Sequence, residues 1–332
     1  MIYLYQILTR KFAGVPVRDT AANGFRRIAS SPVVDSMATF TLPASRKPVM
    51  GRVSMKGWTR DFIIEPGSLK IGVIPERGLY YEGGVYNQKV YGYLSSDEMA
   101  SLQAQRKECK TSDERRALNA KISKLRGAVA KDLMASDDPY EVIFGYASSY
   151  KRDKEALAVL DSIRTIIGDG NMDLECLIRS CKDNIRIEEI KATLIEGAKL
   201  PDFDFVTLDG KASKASAVYS GAKITLIDFW ASWCGPCRRA MNNLKPTYAK
   251  YHSKGFEAVS FSIDDKEEDW RKASDEMNVA WINCSADEAG KKVVADKFAI
   301  TAIPMLFVVD NQGTILSTGH SLDELVTILE KM

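Results

Sequence analysis

At 332 residues the chain exceeds what one hydrophobic core usually organises, so two or three domains are expected. Its composition, 45% hydrophobic and 27% charged, is that of an ordinary globular protein and excludes extensive disorder. A formal net charge of +2 gives no reason to expect nucleic acid as a partner, and no apolar run approaches the length of a membrane-spanning helix.

The N-terminus, Met1-Ile2-Tyr3-Leu4-Tyr5-Gln6-Ile7-Leu8, has no basic residue before its short apolar run and no clear cleavage site after it, so no signal peptide is visible in this sequence. Residues 1–95 read as β-rich. Ala38-Thr39-Phe40-Thr41-Leu42 alternates apolar and polar residues. Asp61-Phe62-Ile63-Ile64 and Leu69-Lys70-Ile71-Gly72-Val73-Ile74 are further strand candidates, with turn signals at Pro66-Gly67 and at Tyr81-Glu82-Gly83-Gly84. Short strands with frequent turns predict a small β-sandwich-like domain.

Ser95 is the expected N-cap of the next segment, with Glu98 closing a capping box. Residues 96–197 are rich in Lys, Arg, Glu, Ala and Leu, and helices are predicted over 112–135 and Lys154–Ile167. Asp138-Pro139 and Gly168-Asp169-Gly170 break the segment. Its charge pattern is that of a solvated helical linker or bracket.

Gly197-Ala198-Lys199-Leu200-Pro201 marks a boundary, and residues 198–332 alternate strand and helix. Strands are predicted at Ile224–Trp230, 257–263, 280–283, 305–309 and 314–318. Helices are predicted at 238–252, Glu267–Met277, 291–298 and 321–332, the last with Ser321 as N-cap and Glu324 opposite it. Asp310-Asn311-Gln312-Gly313 suits a hairpin turn. This pattern predicts an α/β domain with a central mixed sheet flanked by helices.

The chemistry concentrates in Trp233-Cys234-Gly235-Pro236-Cys237. Two thiols at this spacing can open and close a disulfide. The spacing also fits half of a zinc site, but that needs two more ligands. The chain has only His252 and His320 as histidines, and its other four cysteines are scattered, so no metal site is expected. The apolar run before the pair and the helical stretch after it place Cys234 at a helix N-terminus. There the dipole and free N–H groups favour the thiolate, the attacking species in disulfide exchange. Cys109 and Cys284 read as inert thiols. Cys176 and Cys181, five apart on a helix, would not face each other as a disulfide.

Residues 198–332 resemble the thioredoxin-like family, and within it the bacterial thiol-disulfide reductases of the cytochrome-maturation and peroxiredoxin-like group. Pro201-Asp202-Phe203, Leu208-Asp209-Gly210, the run from Asp228 through Trp233 to Cys237, Ala302-Ile303-Pro304 and Asp310 to Gly313 carry the likeness. Residues 33–72 more weakly resemble a β-rich domain of unknown function that precedes such modules, through Val34-Asp35-Ser36, Phe40 and Phe62-Ile63-Ile64-Glu65-Pro66-Gly67.

The resemblance implies roles. Cys234 attacks and Cys237 resolves the mixed disulfide, so the redox-active pair itself takes the place of a cofactor. Gly235 and Pro236 set the redox poise, nearer thioredoxin's about −270 mV than the oxidising end near about −120 mV. Pro304 matches the family's cis-proline and puts the Ile303 backbone beside Cys234, where a client strand can pair. Asp228 matches a buried acid that assists deprotonation of Cys237. Trp233 offers contact surface to substrate, whereas Phe229 and Trp230 read as core.

This chain departs from the family pattern in places. Ala240 stands where related reductases often carry Glu, and Asn242 replaces the helix proline. Pro246 is expected to kink or interrupt its helix, and Ser260 aligns with a lysine that pairs with the acid in thioredoxin.

The expected function is a thiol-disulfide oxidoreductase acting on protein thiols and disulfides. The alternatives are a non-enzymatic adaptor or, less favoured, a thiol peroxidase. The Pro and Thr of the peroxidatic motif are absent from Phe229-Trp230-Ala231-Ser232-Trp233-Cys234. The resemblance also implies a periplasmic or cell-envelope setting and a membrane electron donor, with a cytoplasmic location still open. Residues 1–197 are expected to position a client or form a homodimer.

Overall fold

The computed structural model describes residues 2–7, 25–35, 37–43, 47–55, 58–74 and 78–332. Met1, Leu8 and Ser36, which entered the reading of the N-terminal region, lie outside the described residues. The chain divides into two compact units, Met1–Ile185 and Arg186–Met332.

The first unit begins with strands β1 (Ile2–Ile7), β2 (Phe25–Ser31), β3 (Met37–Leu42), β4 (Val49–Met55), β5 (Trp58–Ile64), β6 (Gly67–Ile74) and β7 (Gly78–Glu82). They form a four-stranded sheet in the order β2-β1-β4-β5 and a three-stranded sheet β3-β6-β7. Period-two alternation sends Phe40, Val53, Phe62, Ile64, Leu69 and Ile71 into a core shared by the two sheets. Pro66-Gly67 therefore turns the chain from one sheet into the other, with Gly67 at φ 102°, a conformation that suits glycine.

Helices α1 (Val85–Tyr91), α2 (Asp97–Glu108), α3 (Ser112–Met134), α4 (Pro139–Ser148), α5 (Lys154–Ile167) and α6 (Met172–Lys191) follow. Met50 of β4 and Ile63 of β5, on the opposite face from Phe62 and Ile64, join a second core with Leu133, Phe144, Leu160 and Leu177 of the helices. Polar ties reinforce this packing. Glu65 accepts from the backbone N–H groups of Tyr86 and Asn87, and Asp173 Oδ2 accepts from Met50 N–H at 2.6 Å. The cap of α2 is Ser96, whose side chain accepts from Met99 N–H, and not Ser95 as expected. The intervening Gly92–Ser95 segment is a 3-10 turn that uses up Ser95.

The second unit contains β8 (Asp204–Thr207), β9 (Ala212–Lys214), α7 (Ala215–Tyr219), β10 (Ile224–Trp230), α8 (Gly235–Tyr251), β11 (Phe256–Ser262), α9 (Glu267–Met277), β12 (Ile282–Ser285), α10 (Glu288–Phe298), β13 (Met305–Asp310), β14 (Ile315–Gly319) and α11 (Asp323–Leu329). The expected mixed sheet flanked by helices is present, in the order β14-β13-β10-β11-β12-β8-β9. Its centre is β10, parallel to β11, antiparallel to β13 and buried along its whole length. On one face Leu226 and Trp230 pack with α8, α9 and α11. On the other, Ile227 and Phe229 join Phe203, Phe261, Phe298 and Phe307 beneath α7 and α10, with the Phe229 and Phe298 rings 4.9 Å apart.

Two local expectations change. Pro246 lies inside α8 without ending it, because Met241, Leu244, Tyr248 and Tyr251 bury one stripe of the helix on both sides of the proline. Ser321 stands one residue before the N-cap of α11, although its Oγ accepts from Asp323 N–H at 3.3 Å. The residue before Asp323 is Leu322, whose side chain makes no cap, and Glu324 instead accepts from the Ser317 hydroxyl.

Candidate active site

The end of β10 leads directly into the turn that carries the cysteine pair. Backbone hydrogen bonds from Ile263 N–H to Trp230 O and from Cys234 N–H to Ala231 O hold this turn against the end of β11. It therefore sits at the carboxyl end of the central strands, the usual place for a site in an open α/β sheet.

Cys234 and Cys237 form a disulfide with Cα atoms 5.3 Å apart. Cys234 is the N-cap of α8 and is 4% exposed, while Cys237 is fully buried one turn inside. Cys234 Sγ accepts from Cys237 N–H at 3.2 Å and lies 3.7 Å from the Ile303 carbonyl oxygen. The first turn of α8 has no acidic residue, and Arg238 and Arg239 follow the pair. Arg238 is engaged by Glu276 at 2.7 Å. On reduction, the helix N-terminus favours a thiolate at Cys234.

The Ile303–Pro304 peptide bond is cis, and Pro304 and Pro236 line a common groove of about 570 Å³ with Arg239, Asn243, His320 and Leu325. His320 Nδ1 donates to Pro304 O, tying the loop after β14 to the cis-proline loop. Gly235 and Pro236 open α8 at its exposed end, and Trp233 beside them is 70% exposed.

Asp228 sits on β10 between Leu226 and Trp230, on the face that also buries Cys237. Burial pushes its carboxyl up to about 7, opposed by one hydrogen bond, from Ser260 Oγ to Oδ2 at 3.2 Å, which favours the ionised form. Oδ1 is buried without a protein partner. The cysteine pair, the cis-proline loop and Trp233 thus gather at one end of the sheet, with Asp228 in the core beneath.

The sequence reading missed Asp264, which is 1% exposed. It accepts from Ser232 N–H (2.9 Å), Ser232 Oγ (2.6 Å) and Ser262 Oγ (2.8 Å), pinning the residue two before Cys234. Its signal was an acid immediately after a predicted strand, at the end where sites form. Of the remaining cysteines, Cys109, Cys176, Cys181 and Cys284 are free, and burial pushes the Cys284 thiol well up. Among the described residues no group of His, Cys, Asp and Glu is placed to hold a metal ion, and no helix is long and apolar enough to cross a membrane.

A family model described as thioredoxin-like matches residues 221–315. The chain is similar to the thioredoxin-like protein YneN of Bacillus subtilis, 31% identical over 121 residues that span 36% of this chain and 68% of that protein. It is also similar to the thiol-disulfide oxidoreductase ResA of Oceanobacillus iheyensis, 26% identical over 141 residues, 42% of this chain and 69% of the relative. The crystal structure of the thioredoxin domain of a thiol-disulfide oxidoreductase from Bacteroides vulgatus aligns with a TM-score of 0.39 and 29% identity, covering 41% of this chain and 96% of that one.

Proposed function

The chain belongs to the thioredoxin-like family and is a thiol-disulfide oxidoreductase; from that premise we propose that it reduces or isomerises protein disulfides through Cys234 and Cys237. The observation that carries this reading is the Cys234–Cys237 disulfide at the start of α8, with Cys234 Sγ beside the Ile303 carbonyl and the cis-proline loop.

In the reducing direction the dithiol is the starting state. The Cys234 thiolate attacks one sulfur of a client disulfide. A bond forms from Cys234 Sγ to that sulfur, the client S–S bond breaks, and the other client sulfur leaves as a thiolate and takes up a proton. Cys237 then gives its proton to Asp228 and attacks Cys234 Sγ. This forms the intramolecular disulfide and releases the second client thiol. The client gains two electrons and the protein loses two, so a thiol donor must restore the pair.

The Ile303 backbone and the groove beside Pro236 and Pro304 would hold the client segment next to its cysteine, with Trp233 as a lid of contact surface. The motif resemblance supports a cell-envelope setting and a membrane donor of electrons. Within this reading residues 198–332 carry the chemistry, and residues 1–197 position the client or form a homodimer.

The test is reduction of a peptide disulfide by the full chain under dithiothreitol. Replacing Cys234 with Ser should abolish turnover. The Cys237→Ser variant should accumulate a mixed disulfide with the peptide, visible by mass under non-reducing conditions. Undiminished turnover in the Cys234 variant would overturn the assignment.

A further inference from the structure

The position where thioredoxin has a lysine partner for the acid is Ser260 here, and its surroundings are specific. Ser260 lies opposite Asp228 in the parallel β10–β11 register and is fully buried. Its Oγ accepts from Trp281 Nε1–H at 2.9 Å and faces Asp228 Oδ2 at 3.2 Å. Trp281 is itself buried just before β12, its ring centre 5.3 Å from that of Tyr248 on α8.

An indole N–H can only donate, and a serine hydroxyl has one proton. Trp281 therefore occupies an accepting position of Ser260 Oγ, leaving the serine proton for Asp228 Oδ2. With Oδ2 receiving that proton donor, the remaining place for a transferred proton is Oδ1, which has no protein partner.

We propose that Trp281, just before β12, and Ser260 of β11 form a fixed hydrogen-bond relay that positions and tunes Asp228 of β10 as the proton acceptor, an inference that rests on the reading of Asp228 as the base for Cys237. Ser260 and Trp281 are positioning residues and touch no reacting atom. A neutral donor replaces a cation, so the acid is held toward ionisation without a buried positive charge.

Few other groups compete for this role. The titratable members of the apolar core on this face are Cys234, Cys237, Tyr248 and Tyr251, all at or on α8, and the buried Asp264 beyond the end of β11 is engaged by Ser232 and Ser262. Glu257 of β11 is engaged by the Tyr248 hydroxyl at 2.8 Å. The buried residues of α9 and α11 are not acidic or basic, β13 presents Leu306 and Val308, and Asp310 is turned to the N–H groups of Gln312 and Thr314. Burial is the largest cause of the raised Asp228 pKa, and Ser260 is the opposing cause.

The experiment follows the Asp228 carboxyl by 13C NMR titration in the oxidised full chain. In parallel, the pH dependence of mixed-disulfide resolution is measured with the reduced protein. Ser260→Ala should raise the midpoint by about one pH unit, the scale of one lost charge-assisted hydrogen bond. Trp281→Phe, which frees the hydroxyl to rotate, should raise it less, and Ser260→Thr should restore it. The acid limb of the resolution rate should move with the midpoint, while Cys234 alkylation keeps its own pH profile.

Unchanged midpoints in both Ser260→Ala and Trp281→Phe would overturn the relay, and the Trp281 variant decides the matter alone if Ser260→Ala does not fold. The base assignment fails separately. If Asp228→Asn leaves the resolution profile unchanged, Asp228 is not the acceptor, whatever the NMR midpoints report.

Discussion

Replacing Asp228 with Asn should change how stability depends on pH, with a sign opposite to that of most carboxylates. Asp228 titrates at about 7 in the fold against 3.8 as its ordinary value. Between these values the folded chain holds a proton that the unfolded chain has released, so stability falls as pH rises. The contribution of the neutral acid is complete below 3.8 and lost as pH climbs through 7. A shift of some three units corresponds to about 4 kcal/mol once pH exceeds the folded value, of which about 2–3 kcal/mol is lost between pH 5 and 8. Asn carries no such ionisation.

The assay is urea unfolding of oxidised wild type and Asp228→Asn at pH 5 and pH 8, read by tryptophan fluorescence. Trp230, Trp233, Trp270 and Trp281 lie in the second unit, so the signal reports mainly on it. The absolute offset between the two proteins depends on how the buried amide is accommodated. Its change with pH does not. The stability difference, variant minus wild type, should grow by about 2–3 kcal/mol from pH 5 to pH 8. Parallel pH dependences would refute the account of Asp228 as a buried, largely neutral acid.

Two further substitutions probe the scaffold. Asp264→Ala removes the acceptor of three hydrogen bonds from Ser232 and Ser262, one of them fully buried, and should lower stability by about 2 kcal/mol or more and slow peptide reduction. Equal urea midpoints for variant and wild type would show that Asp264 does not hold the turn. Gly145→Ala tests a close approach of α4 to α3, because a Cβ there would lie 2.8 Å from Met134 N and 3.0 Å from Ala130 O of α3. Backbone cannot yield as a side chain does, so α3 and α4 should separate, with a loss of about 2 kcal/mol or more in thermal unfolding. A variant as stable as wild type would contradict that packing.

Much of the second unit was legible because its signals are local. β10 is a mostly apolar run with Cys234 four residues beyond it, and α8 begins within the cysteine motif. What stayed hidden depends on residues distant in sequence. Asp264 meets Ser232 across 32 positions, and Trp281 meets Ser260 across 21, through strand order that no short window contains. The alignment of Ser260 with thioredoxin's lysine showed that the cation beside Asp228 is missing. It could not foresee that an indole would orient the serine.

In the first unit, β5 and β6 were both readable as strands from alternation. Alternation identifies a buried face but not a partner, so their separation into different sheets was not. Ser95 and Ser96 are equal as capping residues by type, and the 3-10 turn before α2 decides between them.

The outer strand of the four-stranded sheet also has backbone groups to satisfy. Among the described residues β5 pairs with β4 alone, and the unpaired N–H and C=O groups of an edge strand need other partners once they are buried. Asn87 closes that edge at Ile63. Its Oδ1 accepts from Ile63 N–H at 2.9 Å and its Nδ2 donates to Ile63 O at 2.6 Å, so one amide side chain imitates the missing strand. The same Nδ2 reaches Glu65 Oε1 at 2.7 Å, which fixes the amide in that orientation. Ile63 and Asn87 are both fully buried, so Asn87 acts as an internal strand end: without it, two backbone groups of Ile63 would be left unsatisfied inside the protein.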